Sequence, residues 1–439
     1  MSTTAAMSSA RAARPYDIVL WGASGFTGKL VAEHIARDYM GSGLRWALAG
    51  RDNAKLIAVR EGLTKINPKC EAVPILIADA LDSVQIGQVL SQTTVVLSTA
   101  GPFAKFGTTI VEQCVEQGTN YCDITGEIQW VKRSVKNFGD KAAAKGVRVV
   151  HCCGYDSVPS DMGALMMVDY IKRELGKKTD KVYTMVGLGK GGVSGGTIAS
   201  AKNIIATEPM AELSACASDA YYLAETVEGC TKGGAKPAPM RPTRFDDVDG
   251  GTWAGPWLME GVNARIVQYS NALVKEPYGS DFKYIEALNA GKGWSGFATA
   301  NTMALTLGVI GLGLTVPGLK TIFNYVAPAP GQGPSEEARK SGRWKHELVA
   351  LTEEEPGVAP VVVKGVCGDS RDPGYWSTSR MILEAGLCMV LDDAKLKASG
   401  CAQGGVLTAS AALGMTLVER LRAAGFTFKV TEVGGKPVA

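Results

Sequence analysis

Gly22-Ala-Ser-Gly25-Phe-Thr-Gly28 stands directly after the apolar run Ile18–Trp21 and directly before the helix-like run Lys29–Arg37. A strand must turn sharply into a helix here, and such a turn lets backbone pass close to a pyrophosphate whose charge sits on the helix N-terminus. Gly22, Ser24, Gly25, Phe26, Thr27 and Gly28 are therefore the cofactor-binding candidates of this turn. The spacing is GxxGxxG rather than GxGxxG, a form that recurs where the phosphorylated dinucleotide is preferred. A second strand-like run, Arg45–Ala49, leads into Gly50-Arg51, where an NAD-binding chain would place Asp or Glu. An acid at that point holds a ribose 2′-hydroxyl, whereas a guanidinium pairs with a 2′-phosphate. The expected cofactor is NADP(H); the bland alternative is a glycine-rich turn beside a surface arginine.

From Tyr16 to about residue 152 strand-like and helix-like runs alternate. The strand-like runs are 17–21, 45–49, 73–78, 94–99, 120–123 and 147–151, with helical periodicity over 27–37, 107–117 and 128–145. This pattern predicts an α/β domain, a doubly wound parallel sheet of the Rossmann type, with its ligand at the carboxyl ends of the strands. Asp79 closes the third run, where a carboxylate could accept from an adenine amino group or merely cap a helix. Ser98-Thr99-Ala100-Gly101-Pro102 closes the fourth and reads as the turn at the nicotinamide end.

After His151 the pattern changes. A polar loop, Gly154–Asp161, precedes a helix near Asp161, and a strand over 181–186 leads to the glycine-rich run 187–196. One long helix is expected over 197–223, a loop over 228–258, and strands over 264–275, 346–351 and 359–367. Residues 374–380 enter an apolar helix, and 405–422 read as another. Together these predict a second, α+β domain with a mixed, largely antiparallel sheet. The expected division is a flexible leader at 1–15, the Rossmann domain at 16–155, a substrate domain at 156–375, and C-terminal helices at 376–439 packing back on the first domain.

The chain of 439 residues carries a net charge of +3 with no long basic run, so nucleic acid is not an expected partner. Its 10 cysteines form no CxxC pair and it has only 3 histidines, which argues against a disulfide frame and against a metal site. Residues 1–14 lack the apolar core of a secretory signal; an intracellular, cytoplasmic protein is expected, with organelle import left open. Between Lys292 and Lys320 there is no charged residue. Segment 293–319 is long enough to span a bilayer, yet Gly308, Gly311, Gly313 and Pro317 dilute it. A buried or subunit-interface helix is the first reading, and shallow insertion into a membrane or lipid-droplet surface the second. A homodimer is compatible with the former.

A nicotinamide cofactor beside a second domain makes hydride transfer the default reaction. No YxxxK pair follows the fourth strand, and the histidines form no triad; His151, at the end of the sixth strand, is the one well placed, with a structural histidine as its first reading. Tyr155 and Asp156 in the junction loop and Lys105 after the glycine-proline turn are the candidate catalytic residues, each of which could also be structural. Gly22–Gly28, Ala49-Gly-Arg51, Ser98–Phe103, Tyr121-Cys-Asp-Ile-Thr-Gly-Glu127, Tyr155–Asp161, Asp372–Arg380 and the Gly404-Gly-Val-Leu-Thr run together resemble the saccharopine dehydrogenase-like oxidoreductases. The resemblance runs from Tyr16 to Val430 and includes relatives similar to mycobacterial trans-acting enoyl reductases. It implies an NADPH-dependent reductase acting on an enoyl or carbonyl group of an apolar, lipid-like substrate, and a lipid-droplet or membrane association as in animal members. An imine-reducing enzyme of the saccharopine type is an alternative, although no basic cluster for several substrate carboxylates is visible. A non-catalytic NADPH-binding protein at a lipid surface is another.

Overall fold

The computed structural model describes residues 14–187, 189, 195–230, 232–238, 241–274, 278–279, 281–315 and 333–438. Most of the expected leader and residues 316–319 of the uncharged segment lie outside these. Two compact units form. The first holds the chain up to Val158, Gly333 and Gly374–Ala424; the second holds the chain from Pro159, then Pro334–Pro373 and the stretch from Gly425 onward.

In the first unit β1 (Tyr16–Trp21), β2 (Trp46–Gly50), β3 (Ile75–Ile77), β4 (Thr93–Ser98), β5 (Asn120–Asp123) and β6 (Arg148–Val150) alternate with helices α1 (Phe26–His34), α2 (Asn53–Thr64), α3 (Ser83–Leu90), α4 (Phe103–Gln117) and α5 (Ile128–Lys145). Strands β1 and β2 are buried nearly end to end, as strands covered on both faces must be. Asp52 and Asp82 accept first-turn N–H groups and start α2 and α3. Gly118 and Gly146, both left-handed, end α4 and α5. Among the described residues this sheet has seven parallel strands in the order β13-β6-β5-β4-β1-β2-β3. The order reverses between β1 and β4, the topological switch point where such sheets take their ligand.

The second unit contains α6 (Val158–Tyr170), β7 (Thr179–Val186), α7 (Gly195–Thr207), α8 (Met210–Ser218), β8 (Thr243–Phe245), β9 (Thr252–Gly255), α9 (Glu260–Leu273), β10 (Lys283–Gly291), α10 (Gly293–Thr315), α11 (Glu336–Lys340), β11 (Trp344–Thr352) and β12 (Val362–Asp369). The chain then returns to the first unit as α12 (Thr378–Leu391), α13 (Asp393–Ala398), β13 (Gly405–Leu407) and α14 (Ala409–Ala423), and ends in β14 (Thr427–Val433) and β15 (Lys436–Pro437). The second sheet is ordered β15-β14-β12-β11-β7-β10-β9-β8 and is antiparallel except between β7 and β10.

Five expectations are corrected here. The long helix over 197–223 is two helices, because Pro209 cannot continue α7 and instead caps α8. Of the strand expected over 264–275, residues 264–273 are instead the body of α9, and residue 275 lies outside the described residues; Ala264–Ser270 are buried all round, so the helical period is erased from the sequence. The expected loop over 228–258 holds the hairpin β8–β9, whose turn runs through left-handed Asp249, Gly250 and Gly251. The helix expected from 405 begins only at Ala409, after β13 has added a seventh strand beside β6. Residues 427–433, placed among C-terminal helices by sequence, are a strand paired with β12.

Candidate active site

The turn after β1 is built so that only glycine fits. Gly22 has φ +80°, and a Cβ there would lie 3.0 Å from both the backbone nitrogen and the Cβ of Ala100. At Gly28 an added Cβ would stand 2.3 Å from the Gly22 carbonyl oxygen and 2.9 Å from the Cα of Ala23. Helix α1 is thereby drawn tight against the turn. Its cap position is Gly25, with no side-chain cap and no acid in its first turn, so its positive end is left without a compensating carboxylate of its own. Ser24, Gly25, Phe26 and Thr27 are half-buried at this mouth. The Phe26 ring meets Tyr375 edge-on with centroids 5.1 Å apart, and Gly333 packs against the same ring so closely that a Cβ would come within 2.5 Å.

The turn after β4 lies beside it. The Thr99 hydroxyl donates to the carbonyl region of the glycine turn, 3.1 Å from Trp21 O and 3.2 Å from Gly22 O, which ties the two strand exits together. The Ser98 hydroxyl is fully buried. Thr99, Ala100 and Pro102 are half-buried and Gly101 is exposed. Lys105 is exposed one turn into α4, its ammonium 5.2 Å from the Phe106 ring.

Arg51 follows β2 directly and is exposed. Its neighbour Asp52 is engaged with Lys55, through the backbone N–H at 3.0 Å and the ammonium at 3.5 Å. Among the described residues no carboxylate pairs with Arg51, so the guanidinium is open to an anion. Asp79, also exposed, accepts from the N–H of Leu81 at 2.9 Å while its own N–H donates to Gln85, the turn-forming role.

Beyond β6 the junction loop carries Tyr155 and Asp156, both half-buried. The Tyr155 N–H donates to the Thr378 hydroxyl at 3.1 Å. Burial pushes the Asp156 carboxyl up to about 6. No described residue donates a hydrogen bond to it, so nothing there favours the charged form.

Sequence reasoning singled out His151 and favoured a structural role for it, but did not find the partners that surround it. His151 Nδ1 lies 2.7 Å from Asp123 Oδ2 and its Nε2 2.9 Å from the Ser134 hydroxyl, with the Trp130 ring 4.8 Å away. The order resembles a nucleophilic triad, yet all three residues are at most 2% exposed, so no substrate carbonyl can reach the serine. The group is a structural brace. Glu127, likewise buried, accepts from the N–H groups of Phe103 and Ala104. In the second unit α9 covers a further polar group on β10: Glu286 accepts from the Tyr284 hydroxyl at 2.6 Å and from the Asn263 amide at 2.9 Å. The sequence signals for this were His151 at the end of a strand and the polar run Tyr121–Glu127, which begins in β5 and continues past it.

Comparison with known proteins places the arrangement. The family model for the saccharopine dehydrogenase NADP-binding domain matches residues 18–150. A Mycobacterium tuberculosis protein, named provisionally as a trans-acting enoyl reductase, is 35% identical over 96% of this chain and 98% of its own length. The trans-acting enoyl reductase of Mycobacterium leprae is 32% identical over 96% of this chain and 99% of its own. The chain belongs to the saccharopine dehydrogenase-like oxidoreductases. The apo saccharopine dehydrogenase (L-Glu forming) of Saccharomyces cerevisiae shares the fold, with a TM-score of 0.53 over 97% of this chain and 100% of that one at 12% identity.

This saccharopine dehydrogenase-like protein is an NADP-dependent oxidoreductase. The residues present fit the cofactor: a turn that a single Cβ would fill, a helix end left uncapped above it, and an open guanidinium at the end of β2. When bound, NADPH supplies a hydride; the chain must supply the anchorage, the orientation and a proton.

Proposed function

We propose that the enzyme reduces an enoyl or carbonyl group of an apolar, lipid-like substrate with NADPH. The observation that carries this is the likeness to trans-acting enoyl reductases, which extends through both units and not the cofactor domain alone. In this reading Gly22, Gly25 and Gly28 with the start of α1 hold the pyrophosphate, Arg51 the 2′-phosphate, and Ala100–Pro102 the nicotinamide end. Asp156 is the proton donor: hydride is added to one carbon of the double bond, and the carboxyl proton goes to the other carbon or to the carbonyl oxygen. Its raised pKa supports that role, because an acid near 6 retains a proton close to neutral pH where an ordinary aspartate does not. The saccharopine-type imine reaction has in its favour a shared fold and the cofactor-domain model at 18–150, but neither of the relatives named above that match over both units. Incubation with tritium-labelled NADPH and a panel of long-chain enoyl thioesters, ketones and α-imino acids tests the reading. Label in a saturated acyl product or alcohol supports it; label in an amino acid favours imine chemistry, and cofactor binding with no labelled product favours a non-catalytic protein.

A surface role is the second part of the proposal, and α10 favours it. Trp294 is 80%, Leu305 71% and Val309 61% exposed on a helix without a charged residue. Among the described residues no helix is long and apolar enough to cross a membrane. We propose that α10 lies on a lipid surface with these side chains inserted. Co-flotation of the protein with vesicles, lost in Trp294→Asp and Leu305→Asp variants, is the expected result; no flotation together with a concentration-dependent dimer would assign the face to a second copy of the chain.

A further inference from the structure

Tyr121–Glu127 contains the polar side chains that cofactor binding leaves without a task. Glu127 is 2% exposed, and both of its oxygens reach the same place: Oε1 accepts from Phe103 N–H and Oε2 from Ala104 N–H, both at 2.8 Å. Those are the first two residues of α4, directly after the turn 99–102. The residue in the cap position of α4 is Pro102, which has no side-chain acceptor, so the helix start borrows a carboxylate from the loop after β5.

That carboxylate is itself fixed. The Glu127 N–H donates to the Thr125 hydroxyl at 3.0 Å, and the Thr125 N–H donates to Asp123 Oδ1 at 3.1 Å. The same oxygen takes the N–H of Cys152, and the other one binds His151. One run of hydrogen bonds therefore joins the exits of β4, β5 and β6. Trp130 reinforces it by stacking on Phe103 at 6.0 Å and crossing Gly107 so closely that a Cβ would lie 2.6 Å from its ring.

We propose that Glu127 is a positioning residue that sets the turn 99–102 at the nicotinamide end and reserves the cofactor's phosphates for α1. This rests on the reading of that turn given above. Two charge-assisted bonds in a buried site hold the turn where a neutral cap would hold it less firmly. They also neutralise the positive end of α4, leaving the uncapped start of α1 as the place an anion is drawn to.

The experiment measures binding of NADPH, NADH and adenosine 2′,5′-bisphosphate to the full chain and to Glu127→Ala, Glu127→Gln and Arg51→Ala. The bisphosphate carries the adenine end and does not extend to the turn. Glu127→Ala is expected to weaken NADPH and NADH alike, by about tenfold or more, the loss for two buried N–H groups deprived of a charged acceptor. The bisphosphate should change by no more than about twofold, the error on such a control, and added acetate should restore part of the NADPH affinity. Glu127→Gln, which keeps one acceptor, should show the same pattern at smaller amplitude and decides the matter if the alanine variant does not fold. Unchanged NADPH affinity, or parallel loss of the bisphosphate, would overturn the proposal by making Glu127 irrelevant or merely a holder of the fold. A wild-type chain that binds neither NADPH nor the bisphosphate would instead overturn the cofactor reading on which it rests.

Discussion

At the scale of single residues, the proposed reaction makes two demands, choice of cofactor and supply of a proton, which it assigns to Arg51 and Asp156. Arg51 is exposed and open, because the adjacent carboxylate is already spent on Lys55. Arg51→Ala is expected to lose about 1.5–3 kcal/mol of NADPH binding, the range for a hydrogen bond to a charged group. NADH, which has no 2′-phosphate, should be almost unaffected; equal losses in paired titrations would remove Arg51 from the 2′-phosphate site. Asp156 titrates near 6, so its proton-bearing form declines as pH rises through that value. The rate of the chemical step should therefore fall about tenfold per pH unit above 6, as it does for a single required acid. Asp156→Asn should lower kcat by about a hundredfold or more and remove that limb of the profile. If the limb persists in the variant, another group donates the proton.

At the scale of elements, the sequence was most legible where a local signal and the final environment agree. The strand–glycine–helix unit at 16–37 could be read because its glycines answer a steric demand inside the same short segment. The alternation that follows could be read because parallel strands buried on both faces leave long apolar runs between helices. Helix α9 failed that test, since burial on all sides removes the polar stripe from which a helix is recognised. Strand β13 is three residues long and is called into being by β6, far away in sequence. The same limit hid Glu127 and Glu286, whose roles depend on partners from other elements. Glu286 gives a measurable consequence. Burial raises its carboxyl from 4.5 to about 7, opposed by the Tyr284 and Asn263 hydrogen bonds and aided by nearby Glu260. A carboxyl whose pKa is higher in the folded than in the unfolded chain stabilises the fold fully below its unfolded value and loses that contribution as pH rises through the folded one. From this group the protein should lose about 3 kcal/mol of stability between pH 4.5 and 8. In Glu286→Gln that slope should vanish, and denaturant unfolding of both proteins at pH 5 and pH 8 would show an unchanged difference if the assignment is wrong.

At the scale of the whole molecule, the path of the chain makes the cofactor unit discontinuous. The NADP-binding family model ends at residue 150, but the sheet it describes does not. Its outer strand β13 comes from residues 405–407, and α12 packs over β1, β4, β5 and α1. Arg148 records the same dependence in one side chain. Its guanidinium is fully buried, and its partners are Asp393 at 2.9 Å, the carbonyl of Ala402 at 2.8 Å and the amide oxygen of Gln403 at 2.9 Å. All three lie in the returning segment. Without that segment the charge would lose its compensation, a change that costs about 3–5 kcal/mol when one partner of a buried ion pair is removed, and the apolar face under α12 would meet water. Since a whole domain is stable by only about 5–15 kcal/mol, residues 14–158 alone are expected not to fold cooperatively. The same residues joined by a flexible linker to 374–424 should fold and bind adenosine 2′,5′-bisphosphate. Circular dichroism melts of the two fragments provide the check: a sharp transition in 14–158 alone would mean that the returning strand and helices decorate a sheet already complete, and a disordered fusion would mean that the cofactor unit also requires the second sheet.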